Sequence, residues 1–155
     1  MIDPRRAGRY ERIHAQLRGL IEGRSPNVIA AMATICALLH AKLRHHSWTG
    51  FYLVAGEGVL HVGPYQGPVA CQVLEGRGVC LHCVQTRAPV VVPDVHAFPG
   101  HIACDPRSRS EIVLPVMRGD DVVAVLDVDS HLPAQFDGDD AAALAGILEL
   151  LGPYL

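Results

Sequence analysis

The sequence has little excess charge of either sign. Lysine and arginine total 13 against 16 acidic residues, a net charge of -3 with histidine neutral. That balance leaves no electrostatic footprint for nucleic acid or for an anionic membrane. Basic residues do gather early, at Arg5, Arg6, Arg9, Arg12 and Arg18. Glu11 and Glu22 interleave with them, as on a solvated helix face. Long apolar runs are also missing. The longest, Val28 to Leu39, is broken by Thr34 and is too short to span a bilayer. The charged N-terminus has no apolar stretch behind it, so no secretory signal is read, and a soluble, cytoplasmic protein is expected. Repeats, low-complexity tracts and long linkers are absent, which leaves one domain over residues 1–155. Half of the residues are hydrophobic, enough for a sizeable core. Five cysteines are present: Cys36, Cys71, Cys80, Cys83 and Cys104. An odd number in a reducing compartment argues against a disulfide framework and for redox chemistry, metal binding or plain burial.

Periodicity supplies the elements. Tyr10, Ile13, Leu17, Leu20 and Ile21 recur at helical spacing, so residues 5–22 read as an amphipathic helix ended by Gly23. Ser25 and Pro26 read as the cap and first turn of a second helix reaching about Arg44, apolar enough to be buried on most sides. Trp48 to Val54 and Val59 to Val62 form a hairpin about Glu57-Gly58. The Gly- and Pro-rich stretch from Gly63 to Gly78 reads as a surface loop. A short helix follows over Val79 to Thr86, then a short strand over Pro89 to Val92 and a second long loop over 93–109. Glu111 to Met117 and Val122 to Val128 are strands joined at Arg118-Gly119-Asp120. In the last helix Phe136 staples against Ala141, Asp137 caps, and Gly152-Pro153 stop the helix. This order predicts an α+β domain, a central antiparallel sheet flanked by N- and C-terminal helices. Two long loops in so small a domain usually serve a site.

Strand alternation sorts the acids. Val122, Ala124, Leu126 and Val128 should face one way, and Val123, Val125, Asp127 and Asp129 the other. Glu111 opens the neighbouring strand and should lie across the ladder from them. Three converging carboxylates raise one another's pKa or await a cation. Cys104 sits in the loop just before Glu111, where Arg107, Arg109 and His101 could stabilise a thiolate. Cys71 lies in the first long loop, from which it could swing toward Cys104. Cys36, in an apolar helix, reads as a buried small hydrophobe. Cys80 and Cys83 form a C-x-x-C pair. With His82, His101 or Cys104 it could hold zinc, but structural zinc usually needs a second pair, so no metal is expected. His45 and His46 read as flanking the exposed end of a helix.

These residues resemble the free methionine-(R)-sulfoxide reductases, a GAF-domain enzyme family. The likeness runs over about residues 10–150. It is carried by Trp48-Thr49-Gly50-Phe51-Tyr52, Gly63-Pro64-Tyr65-Gln66-Gly67, Ala70-Cys71 and Gly76-Arg77-Gly78-Val79-Cys80. The long run Asp94 to Asp105 around Cys104, then Ser108 to Val113 and Leu126 to Ser130, complete it. The resemblance implies that Cys104 is the catalytic cysteine, Cys71 the resolving one, and Cys80 a third able to take part. It implies that Glu111, Asp127 and Asp129 bind substrate and that Trp48 and Tyr52 line the pocket. The chain departs from the pattern in three ways. The Cys71–Cys80 segment is one residue shorter, Leu81 stands where glycine is expected, and Cys83 is an extra thiol.

The expected chemistry follows. The carboxylates hold the substrate's ammonium, which favours the free amino acid over a peptide-bound one. Cys104 attacks the sulfoxide sulfur, a neutral carboxyl such as Glu111 gives a proton, and Cys104 becomes a sulfenic acid. Cys71 resolves it as a disulfide, which thioredoxin or a similar dithiol reduces. No cofactor is implied, the R preference comes from the resemblance, and a homodimer through the terminal helices is compatible with it. The alternatives are a non-catalytic GAF module that binds a small ligand, and a redox sensor using Cys80 and Cys83.

Overall fold

The computed structural model describes residues 3–155, so the first two residues of the expected domain lie outside it. Helix α1 spans Pro4–Ile21 and buries Tyr10, Ile13, Leu17 and Ile21. Leu20, expected in that stripe, is 49% exposed. Helix α2 spans Val28–Lys42. Its cap is Asn27, whose side chain accepts from the Ala30 amide at 2.9 Å, rather than Ser25. One face of α2 is buried, through Ala31, Met32, Ile35, Cys36 and Leu39. Ala33, Ala37 and the 47% exposed Ile29 face outward, because alanine satisfies an apolar pattern without being in a core. No helix among the described residues is long and apolar enough to cross a membrane.

Six strands follow: β1 Trp48–Gly56, β2 Val59–Gln66, β3 Val73–Glu75, β4 Val90–Val92, β5 Ser110–Arg118 and β6 Asp121–Ser130. They form one sheet in the order β3-β2-β1-β6-β5-β4, with every pairing antiparallel. The expected loop over 63–78 thus loses its first residues to β2 and three more to β3, which pairs only with the edge of β2. Helix α3 (Val79–Thr86) lies between β3 and β4 in the chain, as expected.

Helix α4 spans Gly138–Leu148. Asp137 caps it in a capping box with Asp140. A 3-10 turn over Glu149–Tyr154 carries the chain through Gly152 and Pro153, past the expected stop. Asp140 also accepts from the Tyr10 hydroxyl at 2.8 Å and from Arg6 at 3.2 Å, which ties α1 to the start of α4.

The sheet divides two cores. One lies between the sheet and α1, α2 and α4, and includes Phe51, Ile112, Leu114, Leu126 and Val128. The other lies on the opposite face under α3, and includes Tyr52, Cys80, Val113 and Val125. The expected alternation holds from Ala124 to Asp129 but fails at the start of β6. Val116 pairs with Ala124 while Met117 pairs with Val122, so Val123 is an extra residue in a bulge. Val122 therefore packs on the α3 side and Val123 on the other. His46 departs as well. It is buried, with its ring 5.6 Å from that of Phe136.

Candidate active site

The site grows from the central strands. β6 runs between β1 and β5, so each β6 residue on the α3 face has a neighbour on both sides. Asp129 stands between Trp48 and Glu111. Asp127 stands between Gly50 and Val113. The carboxylates expected across the ladder are therefore adjacent. Gly50 leaves a gap beside Asp127, and the Trp48 indole fills it. A Cβ on Gly50 would lie 2.4 Å from both Trp48 Cη2 and Tyr65 Cβ. Trp48 stacks on Tyr52 and Tyr65, with ring centroids 5.7 and 5.2 Å away.

Both aromatics also hold the loop between β2 and β3. The Trp48 Nε1–H donates to the Pro68 carbonyl at 3.1 Å, and the Tyr52 hydroxyl donates to the Cys71 carbonyl at 2.9 Å. Gly67 turns this loop with φ of +120°, and a Cβ there would meet the Ser47 carbonyl at 2.8 Å. The second loop comes over the same face from β4. Cys71 and Cys104 are joined by a disulfide between the two loops, their Cα atoms 5.6 Å apart. Cys36, Cys80 and Cys83 remain thiols.

Below that bond lies a pocket, partly open to solvent, walled by both loops and the central strands. Glu111, Asp127, Asp129, Trp48, Tyr52, Cys80 and Cys104, all expected in the site, line it. Cys71 reaches it through its bond to Cys104. Arg77, Ser108 and Ile102 line it too and were not singled out by their chemistry. The signal for Arg77 was the Gly76-Arg77-Gly78 run. Gly100, at φ of +77°, has room for a Cβ only 3.5 Å from the Arg77 side chain, so the two loops close on each other there.

The electrostatics follow from burial. Glu111 is pushed well above the usual carboxylate range by burial, then by the charges of Asp127 and Asp129. Burial raises Asp129 well above its ordinary value too, with Asp127 and Asp105 adding to it. Asp127 rises less, to about 6: burial lifts it, while the neighbouring Glu111 carboxyl and Cys80 thiol favour its charged form. Asp127 is thus the most acidic of the three, and Glu111 and Asp129 hold their protons more tightly. Cys80 is buried on the acids, and burial with the charge of Asp127 keeps it a thiol.

The cationic support expected for Cys104 is placed elsewhere. Arg107 folds onto Asp105, its Nε donating at 3.2 Å, and Arg109 is exposed. His101 sits with Nε2 3.8 Å from Glu111 Oε2, and burial lowers its pKa. The C-x-x-C pair is split: the Cys83 thiol donates to the Ala88 carbonyl at 3.3 Å, away from the pocket.

The comparisons with known proteins agree with this architecture. The GAF domain family model matches residues 27–154. A GAF domain-containing protein A from Dictyostelium discoideum is 45% identical over 143 residues, covering 92% of this chain and 89% of the relative. The free methionine-R-sulfoxide reductase of Escherichia coli is 37% identical over 147 residues, covering 94% and 88%. The crystal structure of the Neisseria meningitidis free methionine-R-sulfoxide reductase with its substrate aligns at a TM-score of 0.91 and 36% identity, over 99% of this chain and 91% of that one. From residues, sheet and relatives alike, the chain belongs to the GAF domain family.

Proposed function

We propose that this chain reduces free L-methionine (R)-sulfoxide to L-methionine by thiol chemistry. One observation carries the reading: a cysteine sulfur able to form a reversible bond, that of Cys104, lines the same pocket as three converging carboxyl groups. The reductases among its relatives act on this substrate by name, and one of them was crystallised with it.

The roles follow from the electrostatics. Asp127, the most acidic of the three, anchors the substrate's α-ammonium. A peptide-bound residue has no such ammonium. Trp48 and Tyr52 pack on the apolar side-chain end. The Cys104 thiolate attacks the sulfoxide sulfur, and Glu111, held protonated, gives its proton to the sulfoxide oxygen. That oxygen passes to the Cys104 sulfur as its bond to the substrate sulfur and the new S–S bond break. Methionine leaves and Cys104 holds the oxygen as a sulfenic acid. The Cys71 thiol attacks that sulfur, water leaves, and the disulfide forms. Thioredoxin or a similar dithiol then takes the bridge by exchange and restores both thiols. Cys80, kept a thiol beside the acids, can take part as a third exchange partner.

Recycling by a dithiol pool places the enzyme in a reducing compartment, the cytoplasm. Leu20 and Ile29 leave apolar surface on α1 and α2 that a second copy of the chain would cover.

The test uses racemic free methionine sulfoxide with dithiothreitol and chiral separation of what remains. The R epimer should disappear with the wild-type chain and persist with Cys104→Ser. Full activity in that variant removes the nucleophile. Consumption of neither epimer by the wild-type chain makes the domain a binding module instead.

A further inference from the structure

The pocket floor also brings together donors of a different kind. The Sγ of Cys80, a carboxylate oxygen of Glu111 and a carboxylate oxygen of Asp127 all lie within 4.8 Å of one another. Three separate elements supply them, the first turn of α3 and the central strands β5 and β6. All three residues are buried. Asp127 is only 6% exposed, yet its Oδ1 accepts no hydrogen bond among the described residues. A buried carboxylate oxygen with no donor is destabilising unless a cation or donor satisfies it. Asp127, Glu111 and Cys80 all line the pocket, so an ion can reach the cluster from the cavity.

We propose that Cys80, Glu111 and Asp127 bind one divalent transition-metal ion of the zinc type, with its fourth coordination position facing the pocket. One thiolate with two carboxylates suits zinc, cobalt or cadmium, and the sulfur disfavours calcium and magnesium. Three protein ligands with one open position is the usual pattern of a reactive rather than a structural zinc site. Bonds of about 2.0–2.3 Å would set the donors roughly 3.5 Å apart, so the cluster has to draw in by about an ångström. The ion would deprotonate the Cys80 thiol on binding. Cys83 takes no part, since its thiol is committed to the Ala88 carbonyl. The metal pair suggested by C-x-x-C spacing is thus replaced by one cysteine of that pair and two acids distant in sequence.

This site survives the disulfide, because the Cys71–Cys104 bond leaves Cys80 a thiol. If Asp127 anchors the substrate's ammonium as proposed above, metal and substrate compete, and zinc is a reversible inhibitor.

The experiment begins with the oxidised chain, in which Cys71 and Cys104 are unavailable to metal. Cobalt(II) is added as a spectroscopic probe, and zinc is then titrated against a chelating dye. The expected result is one equivalent of metal with a sulfur-to-cobalt charge-transfer band. The band should vanish in Cys80→Ser and persist in Cys83→Ser, and zinc affinity should fall at least tenfold in Asp127→Asn. Circular dichroism of each variant checks folding, and the Cys80→Ser arm decides alone if Asp127→Asn fails to fold. Absence of a stoichiometric site, or a band that persists without Cys80, overturns the proposal. Binding is read on the oxidised chain, so this outcome is independent of whether the chain reduces sulfoxides.

Discussion

Replacing Gly50 with alanine tests how the site is built. The new methyl would sit 2.4 Å from Trp48 Cη2 and from Tyr65 Cβ. Tyr65 pairs with Gly50 across the β1–β2 ladder, so its Cβ cannot retreat without parting two strands. The indole has to move. It then loses two aromatic stackings, each about 0.5–1.5 kcal/mol. It also loses its hydrogen bond to the Pro68 carbonyl, about 1 kcal/mol net. The expected cost is about 2–4 kcal/mol, a fall in Tm of about 5–10 °C for a chain of this size. Trp48 is the only tryptophan, so emission reports its environment directly. Urea unfolding with fluorescence should show a lower midpoint and a red-shifted native signal. Sulfoxide KM should rise, because the displaced ring leaves the pocket wall. Gly56→Ala is the control, since a Cβ there meets nothing within 4 Å. It should stay within about 0.5 kcal/mol of wild type. A Gly50→Ala chain as stable as that control, with native emission, would refute the packing argument.

Other perturbations address the chemistry. Cys71→Ser should complete one turnover and then stall with thioredoxin as reductant, read as a burst of one methionine per chain. Steady cycling would mean that another thiol resolves the intermediate. Asp127→Asn should raise KM for free methionine sulfoxide by roughly tenfold or more, since a charged hydrogen bond is worth about 1.5–3 kcal/mol. An unchanged KM removes the ammonium anchor. Asp105 gives a pH dependence. Burial alone would raise its pKa, but the Arg107 amide, His131 and the Arg107 guanidinium prevail and hold it at about 2. Its folded value lies below the unfolded one. The stability it contributes is therefore complete above about pH 4 and disappears as pH falls toward 2. The shift corresponds to about 2.5 kcal/mol at most, and the exposure of Arg107 and His131 reduces it to about 1 kcal/mol. Acid unfolding of Asp105→Asn should be flatter over that range, and an identical profile would contradict this assignment.

What could be read in the sequence depended on how local its cause was. Asp137 was recognisable as a cap because its partner Asp140 is three residues away. The acids of β6 and Glu111 were placed by alternation and one tight turn. The start of α2 was misplaced because Ser25-Pro26 and Asn27 are both good signals, and the amide that Asn27 accepts from decides between them. Strand β3 was invisible for a different reason. Three residues have no period, and their pairing belongs to the edge of β2. The bulge at Val123 exists only in the register between β5 and β6. Cys80 and Cys83 share a motif but not a fate, since one turn of α3 points one thiol at the acids and the other at Ala88.

The register of β6 ties stability to the site. Ala124, Leu126 and Val128 bind the sheet to α1, α2 and α4, while on the other face Val125 packs in the core under α3 and Asp127 and Asp129 line the pocket. A slip of one residue would exchange the two sets. It would carry two carboxylates into the helix core and two large apolar side chains into the pocket. Neither core tolerates that exchange, because an unpaired buried carboxylate costs several kcal/mol against a net stability of about 5–15. The bulge at Val123 confines the local irregularity to the far end of the strand, seven pairs from Ser130. Beyond it, every pair from Ala124 to Ser130 follows in strict alternation. The apolar residues on one face thereby fix where the acids stand on the other. Substitutions on the helix side of β6 should for that reason disturb the pocket more than equal substitutions at the β3 edge.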